Sequence, residues 1–229
     1  MKHWRLEAII LAIGMVVAGM FIKTGMSTDR VVHVKGLAQR EVAANHVVWP
    51  LAYKMVGNDL SVLYREIKQT NRKIKRFLVD KGIDESEIGI SAPKVIDMKA
   101  EMYVSQKVRE RYNITSVLTV SSEKVDVVRQ LITEQTELLN QGIALSSDDY
   151  NYRVVYQFTE LNKIKPKMIE EATVNARAAA EKFAKDSNST IGGIRSANQG
   201  QFTISNRDNN TPYIKTVRVV TTIDYLLKN

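Results

Sequence analysis

Residues 46–56 read HVVWPLAYKMV. Val47, Trp49, Leu51, Tyr53 and Met55 share one face, and His46, Val48, Pro50, Ala52 and Lys54 share the other. A period of two carried by β-branched and aromatic residues specifies a half-buried strand. Pro50 has no N–H to give a ladder, so the strand is expected at an edge or at a bulge. Toward the N-terminus, Ala43-Ala44-Asn45 reads as a turn. Val31–Val42 reads as the other strand of a hairpin, with Gly36 at a bulge or twist.

Toward the C-terminus, Gly57-Asn58-Asp59 ends the strand and opens a helix, with Asn58 as the expected N-cap. Leu60, Leu63, Ile67, Ile74 and Phe77 recur at helical spacing, and Gly82 stands where a left-handed C-terminal residue belongs. Strands are expected at Ile88–Met98 and Val108–Val120. Ser121-Ser122 then caps a second helix faced by Val125, Val128, Leu131, Gln135 and Leu138, and Gly142 ends it. Ile143–Leu145 reads as a short strand, and Tyr150–Phe158 alternates as a strand of its own. Pro166 suits the first position of a third helix running to about Ser187, with Ile169, Ala172, Ala176, Ala179 and Phe183 as its buried stripe. Ile191–Gly200 is a strand, Gln201–Pro212 a polar loop, and Ile214–Leu227 a last strand rich in Val and Thr.

Helix–strand–strand thus occurs twice, at Asp59–Val120 and Pro166–Leu227, a weak internal pseudo-repeat. Three helices able to cover antiparallel sheet define an α+β fold, and residues 31–229 are expected to form a single domain. The short connections argue against a doubly wound parallel sheet.

Residues 1–26 have a different grammar. Ala8–Ile22 is uncharged, preceded by Lys2, His3 and Arg5 and followed by Lys23. This is a signal peptide or a membrane anchor. No Ala-x-Ala cleavage site follows the run. Fifteen helical residues cover only about 22 Å, against a hydrocarbon core of about 30 Å. Snorkelling Arg5 and Lys23 extend that reach. The expectation is a retained anchor built on Ala8, Ile9, Ile10, Leu11, Ile13, Val16, Val17, Phe21 and Ile22. The basic start places the N-terminus in the cytoplasm and the domain in the periplasm, tethered to the inner membrane by a linker at 27–30. Cleavage and release into the periplasm is the alternative.

The chain carries a formal charge of +8. Much of it lies on the first long helix, where Arg65, Lys68, Arg72, Lys73 and Arg76 form a basic face that can touch an anionic surface. No aromatic stacking platform accompanies it, so no nucleic-acid partner is expected. With no cysteine, disulfides, thiolate zinc sites, iron–sulfur clusters and a cysteine nucleophile are excluded. His3, His33 and His46 do not stand at metal-ligand spacing, and His33 and His46 would face each other only across the first hairpin. Asp148-Asp149 beside Tyr150 and Tyr152 reads as a turn rather than a calcium or sugar site. No Walker loop, Gly-x-Gly-x-x-Gly or Gly-x-Ser-x-Gly occurs. The residues imply neither a catalytic constellation nor a cofactor.

The order of motifs carries a resemblance. A leader precedes Val32-His33-Val34-Lys35-Gly36. Lys81-Gly82-Ile83 and an acidic loop lead into Ile88-Gly89-Ile90-Ser91. Tyr112-Asn113-Ile114-Thr115, Leu118-Thr119-Val120, the alanine-rich Ala172–Glu181 and the Val-Thr-rich last strand follow. From Asp29 to Leu227 this resembles the SIMPL-domain family of bacterial envelope proteins, although Ala44-Asn45 stands where that family usually has Pro-Asp. The resemblance implies a periplasmic or envelope-associated protein. Some members are linked to oxidative stress and some form ring-like homo-oligomers, and no catalytic residues carry over. The expected function is therefore a non-enzymatic, membrane-tethered envelope module that self-associates or binds an envelope protein. The alternative is a small-ligand binder or enzyme using the Tyr150–Phe158 region.

Overall fold

A computed structural model describes residues 11–18, 20, 30–100, 109–146 and 150–228. Of the Ala8–Ile22 run, 11–18 form a helix (α1). Ala8, Ile9, Ile10, Phe21 and Ile22 lie outside the described residues, as do most of the linker, Glu101–Val108 and Asp148-Asp149. Among the described residues, no helix is long and apolar enough to cross a membrane.

The rest is α+β, built on two antiparallel sheets. Packing divides it into two compact units. One takes the described residues up to Ala38, Lys167–Gln201 and those from Val219 on. The other is Gln39–Pro166 with Phe202–Arg218.

The strands are β1 (Val31–Ala43), β2 (His46–Gly57), β3 (Ile88–Ile90), β4 (Lys94–Asp97), β5 (Tyr112–Ser122), β6 (Val155–Gln157), β7 (Thr190–Gln199), β8 (Thr203–Asn206) and β9 (Ile214–Lys228). The helices after α1 are α2 (Leu60–Asp80), α3 (Val125–Glu134), α4 (Thr136–Asn140) and α5 (Leu161–Asp186). The single helix expected after Ser122 is divided at Gln135 into α3 and α4.

One sheet runs β3-β5-β2-β6 with β4 also on β5. The other runs β1-β9-β7 with β8 also on β9. The adjacent β1 and β2 therefore do not form the expected hairpin; each joins a different sheet. The pseudo-repeat is real and longer than two strands. In both sheets a strand, a helix and three further strands follow in that order, and the last strand pairs with all the others of its set. The β2–β5 set is inserted between β1 and α5 of the second.

In the β5 sheet, β2 pairs with β5 without interruption from Val47↔Ser122 to Gly57↔Tyr112. The predicted inner face of β2 is the buried one: Val47, Trp49, Leu51 and Tyr53 join Ile114, Leu118 and Val120 of β5 in the core. α2 covers them with Leu63, Ile67, Ile74, Phe77 and Leu78, and α3 and α4 add Val128, Leu131 and Leu138. Each such side chain contributes about 1.5–3 kcal/mol when taken fully out of water. On the other side of β2, β6 covers only His46–Val48 and an isolated bridge joins Tyr53 to Leu145. Pro50 lies between them, where its missing N–H costs no ladder bond.

Ile88–Met98 is two strands rather than one. Ile90 stands opposite Leu118, but Lys94 stands opposite Thr115, one residue out of step. Ala92 and Pro93 form the bulge, and proline explains the break. Tyr150–Phe158 is not the expected strand either. Tyr150–Tyr152 is a 3-10 turn, and only Val155–Gln157 extends as β6.

In the other unit, α5 buries Met168, Ala172, Ala176, Ala180 and Ala184. This shifts the expected stripe: Phe183 is 61% exposed. The helix starts at Leu161, before the expected position, so Pro166 lies inside it and removes the N–H that would bond to the Asn162 carbonyl. Gly36 is where β1 meets this helix. A Cβ there would stand 1.8 Å from the Ala172 carbonyl oxygen and 2.5 Å from the Ala176 nitrogen. Backbone contact accounts for the glycine. Asn175 Nδ2 donates to the Leu37 carbonyl at 2.8 Å beside it. The core here is small: Val34, Ala176, Ala180, Ile223 and Tyr225. Within the expected loop Gln201–Pro212, Thr203–Asn206 pairs as β8 with Lys215–Arg218 of β9, and both stretches belong to the unit of Gln39–Pro166 and Phe202–Arg218.

Candidate functional site

The richest surface is on α2, and its ends explain why it is well formed. Asp59, not Asn58, is the N-cap. Its carboxylate accepts from Ser61 N at 2.7 Å and Val62 N at 3.2 Å. The Ser61 hydroxyl and these amides hold it below the usual carboxylate range. Asn58 instead accepts from the Arg111 amide at 2.9 Å. At the C-terminus Gly82, at φ +98°, donates to the Val79 carbonyl while Ile83 N reaches Leu78. This paired closure satisfies carbonyls that the helix end would leave free. Gly142 closes α4 in the same way.

Between these ends Arg65, Lys68, Arg72, Lys73 and Arg76 are all exposed. None is in an ion pair among the described residues, whereas Lys75 bridges to Glu85 at 2.7 Å and Lys81 to Glu134 and Glu137 at 2.7 and 3.0 Å. Glu134 and then Glu137 push the Lys81 ammonium up. Two grooves flank this face, with Arg72 in both. One, of about 470 Å³, runs past Lys73, Arg76 and Phe77 to Asp80, Lys81 and Glu137. The other, of about 510 Å³, lies along Lys68, Asn71 and Lys75 and is bounded by Ile90, Ser91 and Pro93 at the β3–β4 bulge. The basic face is legible in the sequence. Asn71 and the bulge residues are not, although Pro93 in a supposed strand was a usable signal.

Under the second groove, the Tyr53 hydroxyl donates to Asn71 Oδ1 at 2.6 Å and Ser116 Oγ approaches the same atom at 3.3 Å. Burial raises the Tyr53 phenol above its ordinary value, against a smaller opposing effect of Ser116.

A serine, a histidine and an aspartate also meet on the β9 sheet. His33 Nδ1 lies 2.6 Å from Asp224 Oδ1, and Ser196 Oγ donates to Asp224 Oδ2 at 2.5 Å. The Ser196 hydroxyl, then His33, holds the Asp224 carboxyl down. The carboxylate is central, so the serine gives its hydrogen bond to an acid rather than to a base. A nucleophile would need the imidazole between them. His46 is engaged elsewhere, with Nε2 3.0 Å from Ser121 Oγ. The two histidines thus bind residues of different sheets. Ser122, the other half of the expected cap, donates to Glu87 at 2.7 Å and accepts from Lys124 N.

Of the Tyr150–Phe158 region, Tyr152 and Val154 line a small pocket of about 240 Å³ beside Pro50. Tyr150 is 75% exposed. Tyr156 packs edge-on to Tyr213, with ring centroids 6.1 Å apart, and the Arg129 guanidinium lies 3.5 Å over the Tyr213 ring. Among the described residues, no three of His, Asp and Glu gather as a metal site.

A protein-family model described as SIMPL, a protein of unknown function (DUF541), matches residues 32–221. No curated protein matches the chain.

Proposed function

The chain belongs to the SIMPL family, and from that premise we propose that it is a membrane-tethered envelope module that acts by binding rather than by catalysis. The observation that supports this is α1. Leu11, Ile13, Met15, Val16 and Val17 are 47–66% exposed, so its apolar side chains point outward on every side. A helix apolar all round is stable only when something covers it, and lipid is the medium that suits such a surface. The domain then stands on the periplasmic side of the inner membrane. The unpaired cations of α2 face anionic surfaces there.

A second copy is the partner with the most support. β7 ends its sheet with nothing paired on its outer side among the described residues. Register shifts blunt its first half, between Ile191 and Ser196, while Ser196–Gln199 pairs regularly with β9. An open regular edge is a template for another strand.

Fractionation tests the tether. The full chain is expected in the membrane pellet after an alkaline wash, with the domain open to protease from the periplasmic side, and deletion of 1–26 is expected to release it. A soluble, shortened product rejects the reading. Light scattering of the full chain in detergent is expected to show more than one copy per particle; a strict monomer at micromolar concentration removes self-association.

A further inference from the structure

The groove between α2 and the β3–β4 bulge has the makings of a small-molecule site. Its volume of about 510 Å³ falls within the range of ligand pockets, roughly 300–1,000 Å³. Tyr64 and Ile90, each 52% exposed, supply apolar surface at its mouth. Lys68, Arg72 and Lys75 line it, and among the described residues no carboxylate does. Glu85, which pairs with Lys75, is itself outside the lining. The Lys68 ammonium stays near the Tyr64 ring, 5.0 Å from its centroid, and the Arg72 Nε donates to the Lys68 carbonyl at 3.2 Å. The cations are therefore held in place beside an aromatic wall.

Asn71 gives the site a fixed polar group. Its Oδ1 is engaged by Tyr53 and Ser116, so its amide nitrogen is the end left to donate, and no protein group accepts from it among the described residues. The Ser91 hydroxyl is also without a protein partner there, while the Ser91 amide is anchored to the Val117 carbonyl at 3.1 Å. The bulge is what brings Ser91 and Pro93 to the wall, and strand bulges are often used to re-aim residues at a site.

We propose that this groove binds a compact organic anion: an apolar or aromatic body carrying one phosphate or carboxylate. The body lies against Tyr64, Ile90 and Pro93. The oxyanion is met by Arg72 and Lys68, with the Asn71 amide and the Ser91 hydroxyl as neutral donors. This goes beyond the tethered-module reading and stands whether or not the chain is anchored.

The test uses the full chain in zwitterionic lipid nanodiscs, titrated with phenyl phosphate and followed by the methyl signals of Ile67 and Ile90. Saturable shifts are expected, with a dissociation constant of about a millimolar. Inorganic phosphate and benzyl alcohol should each bind at least about tenfold more weakly, since each lacks half of the chemistry. Arg72→Gln should weaken phenyl phosphate by about tenfold, the scale of a lost charged hydrogen bond. Lys73→Gln, outside the groove, should leave it unchanged. Absence of saturation overturns the site. So does equal binding of inorganic phosphate, or equal loss in Lys73→Gln, because either would reduce it to a diffuse positive field. Identical shifts on adding anionic lipid without the probe also overturn it, in favour of a headgroup contact.

Discussion

The two sheets follow one plan and are held together differently. Around β5, α2 sends Leu63, Ile67, Ile74, Phe77 and Leu78 into a deep apolar core. Around β9, α5 lies on its strands through Met168 and alanines four residues apart, and backbone meets backbone at Gly36. Long side chains keep a helix away from its sheet, and grooves form where they do not fill the gap. Alanine and glycine close the gap, so tight contact replaces cavity. The same order of elements thus yields a surface with binding potential in one set and a rigid seam in the other.

The strongest attack on this contrast is a pair of substitutions, each measured by urea unfolding of the full chain in detergent. Gly36→Ala forces a methyl into the Ala172 carbonyl and should cost about 3 kcal/mol, the upper range for overpacking. Ile74→Ala should cost a similar amount, about 3 kcal/mol, by leaving a cavity. If Gly36→Ala costs less than about 1 kcal/mol, the seam is not rigid and the contrast fails.

A smaller effect separates the long strands. The inward row of β5 includes Ile114, Ser116, Leu118 and Val120. The corresponding face of β9 includes Lys215, 7% exposed, with Val217 and Val219. Among the described residues Lys215 reaches the Asn206 side chain and no carboxylate, and burial pushes its ammonium below the usual range. Its folded pKa is therefore lower than its unfolded one. Between those values the unfolded chain holds more protons, so stability rises with pH through that window and the burial penalty is full below it. Lys215→Met should raise stability at neutral pH by about 1 kcal/mol and flatten the alkaline rise. Unchanged alkaline dependence in melts across pH would show that Lys215 is not its source.

The smallest effect compares helix ends. α5 closes with the same paired bonds as α2, Asn188 to Lys185 and Ser189 to Ala184, but with Asn188 at φ +52° in the place of Gly82. Asn188→Gly should stabilise α5 by about 0.5 kcal/mol, read as slower exchange of the Ser189 amide. Faster exchange would mean that the asparagine side chain supports the turn.

What the sequence disclosed and what it hid divide along the range of the interactions. The alternation of His46–Val56 and the helical spacing of Leu63, Ile67, Ile74 and Phe77 are local, and these residues came out on the inner faces, whereas Leu60, read with the helix face, is exposed at the helix start. The glycine closures at Gly82 and Gly142 are also local. The supposed β1–β2 hairpin failed because partner choice is decided by the distant β9. Tyr150–Phe158 has strand alternation, yet only three of its residues find a partner strand. The Phe183 stripe failed because the sheet admits only small residues there, which periodicity alone does not reveal. The basic face of α2 was legible as charge. Its groove was not, because Ser91 and Pro93 reach it only through a one-residue slip against β5.

The placement of β1 has a consequence for the order of events in folding. Its pairing partner β9 is the last strand of the chain, and Leu227 N closes on the Arg30 carbonyl near the opposite end. A chain made from its N-terminus completes β2 through β6 while β1 still has no partner. The β5 sheet can therefore condense first, closing loops shorter than the one that separates β1 from β9, and the β9 sheet must wait for that longer loop to close. During that interval β1 is an uncovered strand, and charged Lys35, Arg40 and Glu41 along it guard against premature pairing.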